Sequence, residues 1–177
     1  FINVWLHEPH TPFHTVPKYR WRFRELEETD NIYASVLSHA DDRVGEILDA
    51  LDRLKLSDNT LVIFSSDNGP ARASRPTPLA LQHDTATGAG YGIAAAKGIT
   101  GGRKGYKGAL FEGGVGVPFI ARWPGKVPAG KIDSKSLISA VDLLPTFCEI
   151  ASVSLPDNYV PDGMSQTKLL LGDESAT

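Results

Sequence analysis

The feature that most constrains this chain is a change of hydrophobic period in its first third. Ile32, Val36, Leu37, Ala40, Val44, Ile47, Leu48, Leu51 and Leu54 recur at three- and four-residue steps, which predicts one long amphipathic helix from about Asp30 to Leu56. Thr60-Leu61-Val62-Ile63-Phe64 follows almost at once and is apolar without interruption. So short a run suits a strand covered on both faces, as in the middle of a parallel sheet. Residues 1–6, Phe1-Ile2-Asn3-Val4-Trp5-Leu6, read as an earlier buried strand that stops at His7-Glu8-Pro9. Strand, helix and strand imply a βαβ crossover. Further along, 117–123 reads as a strand closed by Pro124-Gly125, 136–139 as a short strand, and 140–153 as a helix with Pro145 in or near its first turns. The expected class is α/β, a parallel or mixed sheet flanked by helices.

Composition removes several functions. Eighteen Lys+Arg against twenty-one Asp+Glu leave a net charge of -3, so no global basic field exists to hold nucleic acid. A single cysteine, Cys148, rules out an internal disulfide, a Cys-rich zinc site and an iron-sulfur cluster, and its position suits a helix core. No apolar run reaches the roughly 18 residues of a membrane span. Residues 69–111 differ from the rest: they hold nine of the 17 glycines, and Arg72, Arg75, Lys97, Arg103, Lys104 and Lys107 face a single acid, Asp84. A connection this long without clear period is more often a functional loop than a spacer.

Ligands of open α/β sheets collect at the carboxyl ends of strands. Two polar clusters stand there. One is His7-Glu8-Pro9-His10-Thr11-Pro12-Phe13-His14; the other is Asp67-Asn68-Gly69. Asp67 and Asn68 offer hard oxygens suited to calcium or magnesium, but two ligands are too few alone, and the same residues also make an ordinary turn. Prolines exclude a helical zinc motif from the three histidines, so an imidazole here fits a proton donor better. Lys104 and Lys107 lie among Gly101, Gly102, Gly105 and Gly108, where the main chain can approach an anion closely. The spacing is neither a Walker loop nor a dinucleotide fingerprint. Solvated surface charge is the competing reading for both lysines.

Five ordered blocks carry a family resemblance. They are Trp5-Leu6-His7-Glu8-Pro9-His10-Thr11-Pro12, Asp42-Arg43-Val44-Gly45, Asn59 to Pro70, Lys107-Gly108-Ala109-Leu110-Phe111-Glu112-Gly113-Gly114-Val115 running on to Trp123-Pro124-Gly125, and Val141-Asp142-Leu143-Leu144-Pro145-Thr146 with Asp162-Gly163-Met164-Ser165 beyond it. Together they resemble the sulfatase family. The resemblance implies an alkaline-phosphatase-like fold and a sulfuric ester hydrolase acting on aryl or carbohydrate sulfate esters. By its motifs His10 would contact the ester and protonate the leaving oxygen. Lys107 would hold the sulfate with Lys104 nearby, and Asp67 and Asn68 would ligate Ca2+, with Mg2+ as the alternative.

The sequence departs from the family pattern at defined points. The formylglycine motif, Cys/Ser-x-Pro/Ala-x-Arg, is absent, as are two acidic metal ligands that precede it in the family. Lys104 replaces a frequent Arg, and Gly116 stands where Arg is frequent, which takes a partner from Glu112. The resulting expectation is that 1–177 is the C-terminal portion of a sulfatase catalytic domain, with 155–177 leading toward a C-terminal subdomain, and that alone it turns nothing over. A periplasmic or secreted location is implied by the resemblance only. Arg72, Arg75 and His83 are candidate pocket residues. Two readings compete: a phosphatase or phosphodiester/phosphonate hydrolase of the same superfamily, and a non-catalytic chain that binds sulfated glycans or is purely structural.

Overall fold

The computed structural model describes residues 1–72, 81–84 and 88–173. Arg75 lies outside them, and so does the side chain of His83. The elements in chain order are α1 (Pro17–Arg22), α2 (Glu28–Arg53), β1 (Val62–Ser65), β2 (Leu81–Asp84), β3 (Gly88–Tyr91), α3 (Glu112–Val115), β4 (Phe119–Arg122), α4 (Leu143–Ile150) and α5 (Thr167–Leu170), with short 3-10 turns between them. The chain forms two compact units. The first comprises residues 1–54 and 65–119, and the second residues 55–64 and 120–177.

In the first unit α2 runs for 26 residues, as its period requires. It buries Ile32 and Val36 against Phe13 and Ala95, with Tyr33, Tyr91 and Ala96 packed around them. Each of these large side chains contributes about 1.5–3 kcal/mol by leaving water. Asn31 caps the adjoining turn from below: its Nδ2 donates to the carbonyls of Arg20 (2.9 Å) and Phe23 (2.7 Å), which fixes α1 on α2. β2 and β3 form an antiparallel hairpin, pairing Leu81 with Tyr91 and Gln82 with Gly90. Phe13 and Tyr91 exchange two main-chain bonds, Phe13 N to Tyr91 O at 2.8 Å and Tyr91 N to Phe13 O at 3.0 Å. This bridge seats the loop that carries His10 on the core.

The second unit pairs β1 with β4 and packs a 3-10 turn at 57–59 beside them. Trp123 is buried there and its Nε1 donates to the Asp58 carbonyl at 2.9 Å. Asp142 closes the other end: its carboxylate accepts from the main-chain N–H of Ser139 (2.8 Å) and of Met164 (2.9 Å), and those bonds hold its pKa below the usual carboxylate range. α4 carries Pro145 in its first turn and Cys148 half-buried. Gly163 runs so close to the Val141 carbonyl that a Cβ would collide with it.

Three expectations need correction. Residues 1–6 form no strand; Phe1 is 99% exposed and Trp5 88%. An apolar extended run becomes a strand only where a neighbour offers a hydrogen-bond ladder, and here β1 pairs with β4 instead. Residues 136–139 form no strand either. The Asp133 carboxylate accepts from Lys135 N (2.8 Å), Ser136 N (2.9 Å) and Ser136 Oγ (2.7 Å), so a side chain takes the donors that a ladder would need. Finally, the long basic loop contains the β2–β3 hairpin, which its glycine-rich sequence did not announce. Among the described residues the only strand pairs are β1–β4 and the β2–β3 hairpin.

Candidate active site

Asp67 to Pro70 form the turn that leaves β1. Ser66 Oγ donates to the Asn68 carbonyl at 3.0 Å and so closes the turn. Asn68 Nδ2 donates to the Gly69 carbonyl at 2.9 Å, which fixes the amide and leaves Oδ1 as an open acceptor. Asp67 is exposed, and among the described residues its carboxylate accepts a hydrogen bond from Ser66 Oγ at 3.4 Å. Two oxygen donors therefore sit side by side on one turn.

The glycine-rich segment 104–116 is stitched to that turn through main-chain atoms. Gly69 N donates to Gly114 O at 2.8 Å and Lys107 N to Pro70 O at 3.0 Å, while within the segment Gly113 N donates to Lys104 O at 2.7 Å. Such bonds require backbones in contact, and glycine makes the contact available. A Cβ on Gly69 would collide with the Gly113 carbonyl, one on Gly113 with the Gly105 carbonyl, and one on Gly114 with the Ala109 carbonyl. Gly105 and Gly108, on either side of Lys107, have φ of +89° and +85°, values that favour glycine. The clamp thus places Lys107 directly after the Asp67–Asn68 pair.

The two lysines differ in their surroundings. Lys104 Nζ lies 3.9 Å from the centre of the Phe111 ring and is held there by cation–π attraction. Lys107 is exposed, and its ammonium has no ion-pair partner among the described residues. Arg72 joins this neighbourhood: its Nη1 donates to Tyr106 Oη at 2.8 Å and its guanidinium lies 5.0 Å from the Tyr106 ring centre. Glu112 makes no ion pair among the described residues.

The His10 loop is held differently. His10 Nδ1 lies 2.7 Å from the Thr11 carbonyl, and since a carbonyl only accepts, Nδ1 carries the proton and Nε2 is left for a ligand. His7 Nε2 is committed in the same way to the Pro12 carbonyl at 3.3 Å. Glu8, next to them, reaches α2, where His39 Nδ1 donates to its Oε1 at 2.9 Å. The Tyr19 ring lies against His39, with centroids 5.5 Å apart, and Tyr19 Oη donates to Asp42 at 2.5 Å. Sequence reasoning passed over Glu8 and His39. The signal was there, because His39 falls on the apolar stripe of α2, three residues after buried Val36, where a polar ring needs a partner.

No hydrogen bond or ion pair joins His10 to Lys107, Asp67 or Asn68 among the described residues. Their loops lean instead on one packed path. Pro70, which holds Lys107, meets Gly98; Gly98 lies beneath the Tyr33 hydroxyl; and the Tyr33 ring stands edge-on to Phe13 at 5.9 Å. Burial along this path pushes the Tyr33 phenol pKa up.

The donor chemistry at Asp67 and Asn68 fits a hard divalent cation but does not complete its shell. Calcium takes six to eight oxygens, and among the described residues no three His, Cys, Asp or Glu side chains gather as a metal site. The histidines gather with no further metal-ligating side chains among the described residues, so they do not form a zinc set either.

Comparison with known proteins identifies what the chain as a whole is similar to. The sulfatase family profile matches residues 1–153. The chain is 34% identical over 142 residues to the N-acetylgalactosamine-6-sulfatase of Canis lupus familiaris, covering 80% of this chain and 24% of that protein. It is 32% identical over 150 residues to the N-acetylgalactosamine-6-O-sulfatase of Bacteroides thetaiotaomicron, covering 78% and 25%. It superposes on the crystal structure of Ps i-CgsB in complex with k-i-k-neocarrahexaose with a TM-score of 0.72 and 31% identity, over 90% of this chain and 30% of that one. The chain spans about a quarter of the length of the curated relatives it matches.

Proposed function

The chain belongs to the sulfatase family, and from that premise we propose that the full-length protein containing it hydrolyses sulfate monoesters, with carbohydrate sulfates as the substrate class. The observation that carries the reading is the glycine clamp, which bonds the main chain of Lys107, an exposed lysine with no ion pair among the described residues, to Pro70 at the end of the turn that bears Asp67 and Asn68. A cation-ligating turn and a lysine on neighbouring main chain suit an anion and its cation. The names of the relatives and the oligosaccharide in the neighbouring structure favour a sugar ester over an aryl one.

Each residue has a defined task in this reading. Lys107 binds the sulfate oxygens and offsets the negative charge that gathers there as the ester bond lengthens. Lys104, already held over Phe111, adds to the local positive field. His10 keeps its Nδ1 proton on Thr11 and, when protonated, donates the Nε2 proton to the leaving oxygen. Asp67 and Asn68 would supply two oxygen ligands to a divalent cation, calcium in preference to zinc, with the remaining ligands drawn from outside the described residues. When bound, the cation would add fixed positive charge to the sulfate site. No segment of this sequence carries the formylglycine motif, so the nucleophile belongs to another part of the full-length protein.

The test replaces His10 by Ala in the full-length protein. Hydrolysis of a sugar sulfate, a poor leaving group, is expected to slow by roughly 10²- to 10⁴-fold, and that of 4-nitrophenyl sulfate far less, because a good leaving group needs no proton. Equal slowing of both esters, or none, removes His10 from the role. Lys107→Ala is expected to slow both esters by roughly 10²-fold or more, since both transfer the same sulfate.

A further inference from the structure

The first unit carries an open depression of about 700 Å³ between α1, the turn that follows it and Tyr91 of β3, and no role has yet been given to it. Its walls come from the loop after His10 (Thr15), from α1 and the turn that follows (Arg20, Trp21, Arg24), and from Tyr91 of β3. Trp21 leaves 69% of its surface in water although Arg24 lies 4.5 Å from its ring centre. Arg20 lies 5.7 Å from the centre of the Tyr91 ring. Two arginines interleaved with two aromatic rings can stack on a flat apolar sugar face and bind an anionic substituent with the same surface.

We propose that this depression is a subsite for the neighbouring sugars of an anionic oligosaccharide whose sulfated end occupies the candidate active site. The proposal rests on the sulfatase reading and adds to it the part of the substrate that is not cleaved. Three observations carry it. First, the guanidinium groups are not used up internally. Arg20 Nη2 meets Glu28 only at 4.0 Å, and its enclosed Nη1 has no hydrogen-bond partner among the described residues. Arg24 spends Nε on exposed Glu25 at 3.3 Å and Nη1 on the Trp21 carbonyl at 3.3 Å, which leaves Nη2. A guanidinium has five donors; Arg20 Nη1 is enclosed, so the capacity for a carboxylate or sulfate rests on Nη2 of Arg20 and Nη2 of Arg24.

Second, the walls are rigid. Asn31 on α2 locks the end of α1 through two carbonyls, and the paired bonds between Phe13 and Tyr91 fix the opposite wall. A surface held in place before binding loses little freedom when it binds. Third, the depression adjoins the His10 loop along the chain. Thr15, on its wall, is five residues from His10, so their Cα atoms are at most about 18 Å apart, within the reach of an oligosaccharide. Glu25 and Glu28 are the acids beside the arginines, and an anionic ligand must compete with them for the guanidinium donors.

The experiment titrates the full-length protein with a chondroitin 6-sulfate tetrasaccharide and, separately, with neutral chitotetraose, by calorimetry, and measures turnover of the sulfated tetrasaccharide. Trp21→Ala and Arg24→Ala are each expected to weaken tetrasaccharide binding by about tenfold or more, as loss of an anchor does. The KM should rise by a similar factor with kcat within about twofold, the mark of binding shared by ground and transition states. Should Trp21→Ala lose its fold by circular dichroism, Arg24→Glu at an exposed position repeats the test by charge reversal. Unchanged tetrasaccharide binding in the folded variants overturns the subsite, and so does equal binding of chitotetraose. A protein that binds the tetrasaccharide through Trp21 and Arg24 yet hydrolyses no sulfate ester overturns the sulfatase reading and leaves the subsite standing.

Discussion

The two loops of the candidate site are held in place by different physics. The Asp67–Pro70 turn and the Lys104–Gly116 segment are joined main chain to main chain, with glycine where the backbones touch. The His7–His14 loop is instead held through side chains: an ion pair from Glu8 to His39, ring nitrogens on carbonyls, and Phe13 in the core. A main-chain clamp has no titratable group and tolerates no added atom. A side-chain tether tolerates shape changes but depends on charge. The part of the site proposed to hold the anion is thus built to be stiff, while the part proposed to donate the proton hangs on side-chain contacts.

The sharpest way to break the contrast is to add one carbon to the clamp. Gly113→Ala forces a Cβ onto the Gly105 and Lys104 carbonyls. It is expected to cost about 2–4 kcal/mol in urea unfolding. The same change is expected to slow sulfate ester turnover by roughly 10²-fold through displacement of Lys107. An alanine accepted without either effect shows that the backbones are not in obligatory contact.

The tether should give a smaller response. Glu8→Gln keeps an acceptor for His39 but removes the charge, and is expected to reduce turnover by no more than about tenfold, in line with the roughly 1 kcal/mol of a partly exposed pair. His39→Ala should have a similar effect. The double variant should add nothing, which a mutant cycle measures directly. Full additivity of the two would show that Glu8 and His39 act separately.

The smallest effect is expected one shell further out, at Tyr19. The Tyr19 hydroxyl, followed by the Lys18 ammonium, holds the Asp42 carboxyl below its ordinary pKa. A depressed folded-state pKa stabilises the fold above the ordinary carboxyl value near 3.9 and loses that contribution as pH falls through the folded value. Tyr19→Phe should let the Asp42 titration rise toward the ordinary range, followed by carboxyl NMR, and move acid unfolding to slightly higher pH. An unmoved Asp42 titration assigns the depression to Lys18.

Much of the architecture could be read from residue patterns, and the failures have identifiable causes. The period of Ile32 to Leu54 describes α2 because a helix is set by neighbours three and four residues away. The apolar runs at β1 and β4 and the helix at α4 were legible for similar local reasons. Residues 1–6 misled because hydrophobicity says that a segment wants cover but not which ladder will provide it. The segment at 136–139 misled because Asp133 captured three donors, which also draws its own pKa down to about 2. The β2–β3 hairpin escaped notice because glycine and polar residues carry little strand preference.

The site divides along the same line. Residue types and spacing along the chain marked out Asp67, Asn68, Lys104, Lys107 and a group of three histidines as chemical groups, the family resemblance chose His10 among the three, and glycines stood around Lys107 where positive φ was to come. Which backbone each glycine would lie against, that Glu8 would find His39 thirty-one residues away, and that Trp21 and two arginines would wall one depression with Tyr91 arose only on folding. The reason is one of range. Local conformational preference acts over a few residues, whereas contacts between distant segments are selected by packing the whole core at once.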